Sequence, residues 1–347
     1  MRRLLIAPLI VAALVLALGL ALAGCGTAAQ NASLGGDTSP AGILAASMDA
    51  STAVTSAKAE FDLSLSFDVD KSQMPAEQLA YLDQPMQISG QLAFAAEPLA
   101  LDLALDASLA GQALNVGLKM AEGKAYIGLA GQWYEAPAEM MQMFGGAGSQ
   151  TATSEQMQNM LTDLGIDPAA WMKEVRLVGE ESLDGVDVYH LEATPDLTAM
   201  INDVFGLMQS GQFAGMMGQT GATGGTDGTG ATLPAMDGLD EIQQQLPEMF
   251  RNLKAEIWVA KDSLLPLKTT VGAQIVPPAG EDSGGVNAIN FSMTVALSDI
   301  NEPVSVDAPV SAQPWDEFLK ALEANPAMLG PLGGLGAGSL GGTDFSQ

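Results

Sequence analysis

Apolar and polar residues alternate over long stretches of this 347-residue chain, a pattern that predicts β-strands with one wet face. From 58 to 70 the apolar side chains of Phe61, Leu63 and Leu65 are separated by aspartate and serine. The same period of two recurs in 99–106, 114–120, 127–129 and 289–297. Turn signals that contain glycine or proline precede the segments at 99–106, 114–120 and 127–129. The sequence therefore predicts an antiparallel meander of long strands.

Segments with helical spacing interrupt the meander and predict helices that cover its apolar face. Ser39 and Pro40 form a helix start, and the apolar stripe behind them runs to about Ser56. Methionine-rich helical patterns occupy 137–172, where the methionines are either adaptable cavity lining or ordinary core filler. The other predicted elements are a strand pair in 174–193 turning at 183–186, helices opened by Pro195 and spanning about 239–250, strands in 255–259 and 267–271, and a final helix from Pro314 to about Leu322.

The N-terminus has the layout of an export signal, because Arg2 and Arg3 precede an uncharged apolar run at 4–23. The sequence LAGC at 22–25 looks like the lipobox of bacterial lipoproteins, in which the cysteine thiol is acylated and the peptide is cut before it. Cys25, the single cysteine of the chain, is thus predicted to carry a lipid anchor. The alternative is an uncleaved transmembrane helix, since about 20 apolar residues span a bilayer.

Low-complexity stretches delimit the folded part of the chain. Residues 26–39 are small and polar without an apolar period, so residues 25–39 are predicted to form a flexible tether behind the signal peptide at 1–24. Glycine and threonine dominate about 218–238, which predicts a mobile insert, and the glycine-rich tail at 325–347 is predicted to be disordered. One domain over 40–324 remains.

Charge and motif content exclude several classes of function. Without residues 1–24, which contain Arg2 and Arg3, the chain keeps 11 of 13 Lys and Arg against 41 Asp and Glu, a net charge of −30. Such a chain is not expected to bind nucleic acid or to dock on anionic head groups through a basic patch. Because no calcium-loop spacing and no hydrolase, zinc-protease or phosphate-loop motif occurs, we expect no metal, no other cofactor and no enzyme. The single histidine, His190, lies in a predicted strand and is expected to be packed or at the surface rather than catalytic.

Several stretches carry a family resemblance. ISGQLAF at 88–94 and LALDLAL after it, KAYIGLAGQWYEAP at 124–137, AEIWVAKDSLLPLK at 255–268 and VALSDINEPVSVDAP at 295–309 follow in order behind the lipobox. Together they resemble the LppX/LprA/LprF/LprG group of actinobacterial lipoproteins, whose fold is shared with the lipoprotein carriers LolA and LolB. The resemblance covers about 40–320 and implies an α+β fold. In that fold a strongly curved, open antiparallel sheet, a half-barrel, has helices packed on its concave face and an apolar cavity between.

The same resemblance implies a function. We expect a non-enzymatic lipoprotein with palmitate on Cys25, held on the extracytoplasmic face of the cell membrane, that binds acyl chains of a lipid or glycolipid and carries them across the envelope. The alternative is an envelope scaffold with a filled core that binds a protein partner. Candidate lining residues are apolar positions of the predicted strands: Phe61, Leu63, Leu65, Leu101, Leu103, Leu105, Leu114, Val116 and Phe291.

Overall fold

A computed structural model describes residues 34, 36–72, 74, 79, 82, 85–109, 112–138, 171–200, 202–203, 248–277 and 285–324. Within these ranges the elements are α1 (Pro40–Ser51), β1 (Ser56–Val69), β2 (Met86–Ala95), β3 (Ala100–Leu109), β4 (Gln112–Ala121), β5 (Lys124–Leu129), β6 (Gln132–Glu135), β7 (Met172–Leu183), β8 (Val186–Pro195), β9 (Phe250–Ala260), β10 (Pro266–Ile275), β11 (Val286–Ser298) and α2 (Trp315–Ala324). Cys25, most of the tether, the insert at 218–238, most of the methionine-rich segment and the tail at 325–347 lie outside the described residues.

All eleven strands form one antiparallel sheet in the order β6-β5-β4-β3-β2-β1-β11-β10-β9-β8-β7. β1 pairs with β2 on one side and with β11 on the other, so the first and last strands of the chain lie together in the middle. On either side of this pair the strands follow as sequential neighbours, which is the predicted meander. β6 and β7 are the edges, and the sheet is therefore an open half-barrel of the predicted α+β class.

α1 begins where the sequence predicts. Ser39 is its N-cap, with a side-chain oxygen that accepts a hydrogen bond from the Gly42 amide at 3.1 Å, and Pro40 is its first residue. The helix ends at Ser51, earlier than the predicted boundary, because the chain must turn at 52–55 to enter β1. α1 packs against β7, β9 and β10 through Ile43 and Leu44.

Two further boundaries differ from the sequence prediction. Pro195 ends β8 instead of opening a helix, because Asp196 takes the capping position and its carboxylate accepts a hydrogen bond from the Ala199 amide at 3.3 Å. Phe250, predicted as the end of a helix, begins β9 and pairs with Ile275, since both side chains are buried there. The turn predicted at 183–186 is confirmed, with left-handed φ values at its two central residues.

The chain returns to the far edge of the sheet after β11. The Gln313 amide donates to the carbonyl of Trp133 at 2.8 Å, and the Glu135 amide donates to the carbonyl of Gln313 at 2.9 Å, so this segment covers the β6 edge. α2 then places Phe318 against Tyr134, with ring centroids 5.3 Å apart. Among the helices of the described residues, none is long and apolar enough to cross a membrane.

Candidate functional site

Strand register places one apolar face across the sheet. Phe61 of β1 lies opposite Val295 of β11 and Gly90 of β2. Leu105 of β3 lies opposite Gly90, and Val116 of β4 lies opposite Leu105. Directly opposed residues of antiparallel strands point to the same face, and this face repeats at every second residue. All nine predicted lining residues therefore share it: Phe61, Leu63, Leu65, Leu101, Leu103, Leu105, Leu114, Val116 and Phe291.

The β8–β11 half of this face is closed by α1. Leu191, Ile257 and Ile289 are at most 1% exposed, and they share a core cluster with Ile43 and Leu44 of α1. We call this group the α1-side cluster, and it is the largest of the core clusters among the described residues. Full burial of one aliphatic side chain contributes about 1.5–3 kcal/mol, so this half of the sheet forms the main core.

A smaller group closes the β4–β6 edge beneath α2. The α2-side cluster contains Leu129, Tyr134 and Phe318 as buried members, with Leu114 and Val116 packed against it as partly buried members. Trp315 stacks on Phe318 at a centroid distance of 4.5 Å and fixes the start of the helix. α1 and α2 thus cover opposite ends of the same face.

Between these clusters lie apolar side chains that are only half-buried. This half-buried patch consists of Phe61 of β1, Met86 and Ile88 of β2, Leu103 and Leu105 of β3, and Leu118 of β4. No core cluster of the described residues includes any of them. From strand spacing and rise, the patch measures roughly 14 by 20 Å. Its side chains are less buried than Leu191, Ile257 and Ile289 of the α1-side cluster on the same face.

Among the described residues, the patch is more deeply buried at one end than at the other. Phe94, Met120 and Ala125 lie in one row where β2 ends, and each is 8% exposed or less, while Leu101 between Phe94 and Met120 is half-buried. At the opposite end, where β2 begins, Met86 and Leu114 are half-buried. The apolar face therefore has a closed end near Phe94 and a less covered end near Met86.

Gly90 and Phe61 form the middle of the floor. A Cβ atom at Gly90 would lie 2.9 Å from Cε1 of Phe61 and would also collide with the carbonyl oxygen of Ala104. The phenyl ring of Phe61 therefore occupies the space that any larger residue at Gly90 would need. Phe61 also belongs to neither helix-covered cluster, although Leu63 and Val295 beside it pack against the α1-side cluster.

Charge is confined to the other face over this part of the sheet. On β1–β5 no described strand residue of the apolar face is charged. On the opposite face, Lys119 Nζ lies 2.6 Å from Oδ2 of Asp102. Lys58 Nζ lies 2.6 Å from Oδ2 of Asp299, and this hydrogen bond raises the pKa of Lys58. A ligand on the apolar face would find a complementary surface only for its hydrocarbon part.

His190 also lies on the polar face, in the other half of the sheet. Its ring stacks on Trp258 with centroids 4.4 Å apart. Its Nδ1 atom lies 3.2 Å from Oε1 of Glu181, which also accepts a hydrogen bond from Nε1 of Trp258 at 2.5 Å. His190 is thus a packed strand residue, on the side of the sheet away from the half-buried patch.

The structure divides the predicted lining residues among different surroundings. Phe61, Leu103 and Leu105 lie in the half-buried patch. Phe291 is 3% exposed and, with Leu63 and Leu65 beside it, belongs to the packed region under α1. Leu101 packs near the closed end, and Leu114 and Val116 pack toward α2. Sequence reasoning did not name Met86, Ile88 and Leu118 as lining residues, although alternation in 86–94 and 114–120 places them on the same face.

Among known proteins, those similar to this chain were found by comparison of structures. No family model matches the chain, and no curated relative matches it. The lipoprotein LppX of Mycobacterium tuberculosis is similar over 77% of this chain and 98% of its own, with 15% identity and a TM-score of 0.35. LprF from Mycobacterium bovis is similar over 78% and 97%, with 11% identity and a TM-score of 0.35. A DUF1329 family protein from Desulfovibrio piger is similar over 77% and 93%, with 12% identity and a TM-score of 0.22. The group that the sequence motifs resemble is thus also represented among the structures that the fold comparison returns.

Proposed function

We propose that this chain is a membrane-anchored lipoprotein that binds the acyl chains of a lipid or glycolipid on its apolar face and carries them across the cell envelope. The observation that supports the proposal is the half-buried patch, a large uncharged apolar surface beside a well-packed core. Exposed or half-covered apolar areas of this extent are typical of binding sites. In this proposal the protein acts by binding, and no residue has a catalytic role.

The energetics of lipid transfer agree with such a surface. Burial of a methylene group is favourable by roughly 0.8 kcal/mol, so moving a chain of about 16 carbons from a membrane into water costs on the order of 13 kcal/mol. Transfer between membranes therefore requires a second apolar surface that receives the chain. Leucine, isoleucine, methionine and phenylalanine of the half-buried patch provide that surface without a charge that must be desolvated.

The predicted anchor supplies the location. A lipid on Cys25 would hold the domain at the extracytoplasmic face of the membrane, and the tether at 25–39 would let the domain reach nearby lipid. Because the described apolar face of β1–β5 has no charge, we propose that the polar head of the ligand stays in water while its tails are enclosed. An envelope protein could then accept the lipid.

The test is lipid binding by the purified full chain. Organic extraction and mass spectrometry should recover a lipid from the protein, and the stripped protein should bind cis-parinaric acid with increased probe fluorescence. Leu105→Asp places a charge on the apolar face and should weaken probe binding by about tenfold or more, since burying an unpaired carboxylate is costly. Ala104→Asp is the matched control, because Ala104 is the exposed neighbour of Leu105 on the polar face.

Two outcomes contradict the proposal. A protein that yields no lipid and does not bind the probe has a filled interior, which would favour the scaffold alternative. Equal loss of probe binding in Leu105→Asp and Ala104→Asp would show that binding does not take place on the apolar face. Circular dichroism of both variants separates loss of the fold from loss of the site.

A further inference from the structure

We infer that Phe61 sets the depth to which an acyl chain can enter the site, so that this side chain determines which chain lengths are bound best. The inference rests on the proposed lipid binding and adds a specificity-determining residue to it. It follows from three features of the described residues: the ring position of Phe61, the glycine beneath it and the closed end beyond it.

The Phe61 ring packs over the β2 backbone, between the two ends of the apolar row that β2 presents. On the apolar face β2 presents Met86, Ile88, Gly90, Leu92 and Phe94 in that order. The Phe61 ring occupies the space above Gly90, midway along this series. A chain that enters at the less covered end passes Met86 and Ile88 and then meets the ring.

Beyond the ring the face continues before it closes. Leu92 and Leu103, which are opposite each other in β2 and β3, are half-buried, whereas Phe94 in the next row is 8% exposed. Apolar surface is therefore present behind Phe61, but the ring separates it from Ile88. Because Phe61 packs in neither the α1-side nor the α2-side cluster, removing its ring enlarges the site without opening either cluster.

The experiment measures affinity against chain length in the stripped full chain. Unbranched fatty acids of increasing length displace cis-parinaric acid, and each methylene that reaches apolar surface should tighten binding about fourfold. In the wild type this increase should stop at the length at which the chain meets Phe61. In Phe61→Ala the increase should continue for at least two more carbons, roughly 15-fold for two methylenes. Phe61→Leu should give an intermediate length and guards against a folding defect in the alanine variant.

Phe67→Ala is the matched control, because it removes the same ring from the same strand and face but from a position packed against the α1-side cluster. It should leave the limiting length unchanged. If Phe61→Ala and Phe61→Leu bind fatty acids with the wild-type limiting length, the role of Phe61 is wrong while the proposed function stands. If the wild type itself binds no fatty acid, the proposed function fails and the inference fails with it.

Discussion

A pair of alanine substitutions tests the uneven packing of the apolar face. Ile257→Ala removes three carbons from a side chain that is 0% exposed in the α1-side cluster. Loss of transfer energy costs about 2.4 kcal/mol, and the cavity left behind raises the cost to about 3–5 kcal/mol. Leu103→Ala also removes three carbons, but from a half-buried side chain outside the core clusters of the described residues. Its expected cost is about 1.5–2 kcal/mol, because about two thirds or more of the transfer energy but little cavity energy is involved.

Urea unfolding of the lipid-stripped full chain measures both changes. The free energy of unfolding is obtained from the shift in midpoint at a common dependence on denaturant. Leu105→Ala provides a second measurement within the half-buried patch and should resemble Leu103→Ala. A cost for Leu103→Ala as large as that for Ile257→Ala would show that the protein's own side chains fill the patch. The structural basis for a ligand site would then be refuted.

Two other predictions concern residues outside the patch. Gly117→Ala should displace Trp133 and shift tryptophan emission, because a Cβ at Gly117 would lie 2.5 Å from Cη2 of the indole. Gly179→Ala is the control, since a Cβ at Gly179 would meet no atom within 4 Å and the φ of Gly179 is not left-handed. The hydrogen bond from Lys173 lowers the pKa of Asp196 from 3.8, so the carboxylate stabilises the fold above that pH and this contribution disappears as pH falls through the lowered pKa. Asp196→Asn keeps a capping side chain but should flatten the acid-unfolding profile, by up to about 1 kcal/mol, and an unchanged profile would contradict the role of the ion pair.

Local alternation predicted the antiparallel sheet because the period of two is strong in this chain, whereas the half-barrel was implied by the family resemblance. Phe61, Leu63 and Leu65 alternate with short polar residues, so that β1 has one apolar face whatever its partners are. The boundaries near Pro195 and Phe250 were harder to predict. Proline can end a strand as well as open a helix, so Pro195 fits both interpretations. Near Phe250 the apolar residues of the helical pattern continue directly into those of β9, and no glycine or proline separates the two.

The sequence predicted which side chains share the apolar face of the sheet, but not which of them are half-buried. Alternation placed all nine candidate residues on one side of the sheet, yet Leu105 and Phe291 carry the same signal in sequence and differ in burial. Burial depends on which helix covers each strand, and α1 covers the strands that follow residue 171 while α2 reaches the far edge. These are long-range contacts, which local periodicity does not encode.

The half-buried patch links stability to ligand binding. Each of its six side chains forgoes at most about 1 kcal/mol relative to full burial, so the patch as a whole forgoes at most about 6 kcal/mol. This upper limit lies at the low end of the stability of an ordinary domain, about 5–15 kcal/mol. An acyl chain that covers the patch would recover part of it, and the loaded protein would be more stable than the empty one. Under the proposed function, release of the lipid would therefore require an acceptor whose own apolar surface compensates for this loss. This is a physical reason for such a carrier to deliver lipid to a membrane or a protein rather than to water.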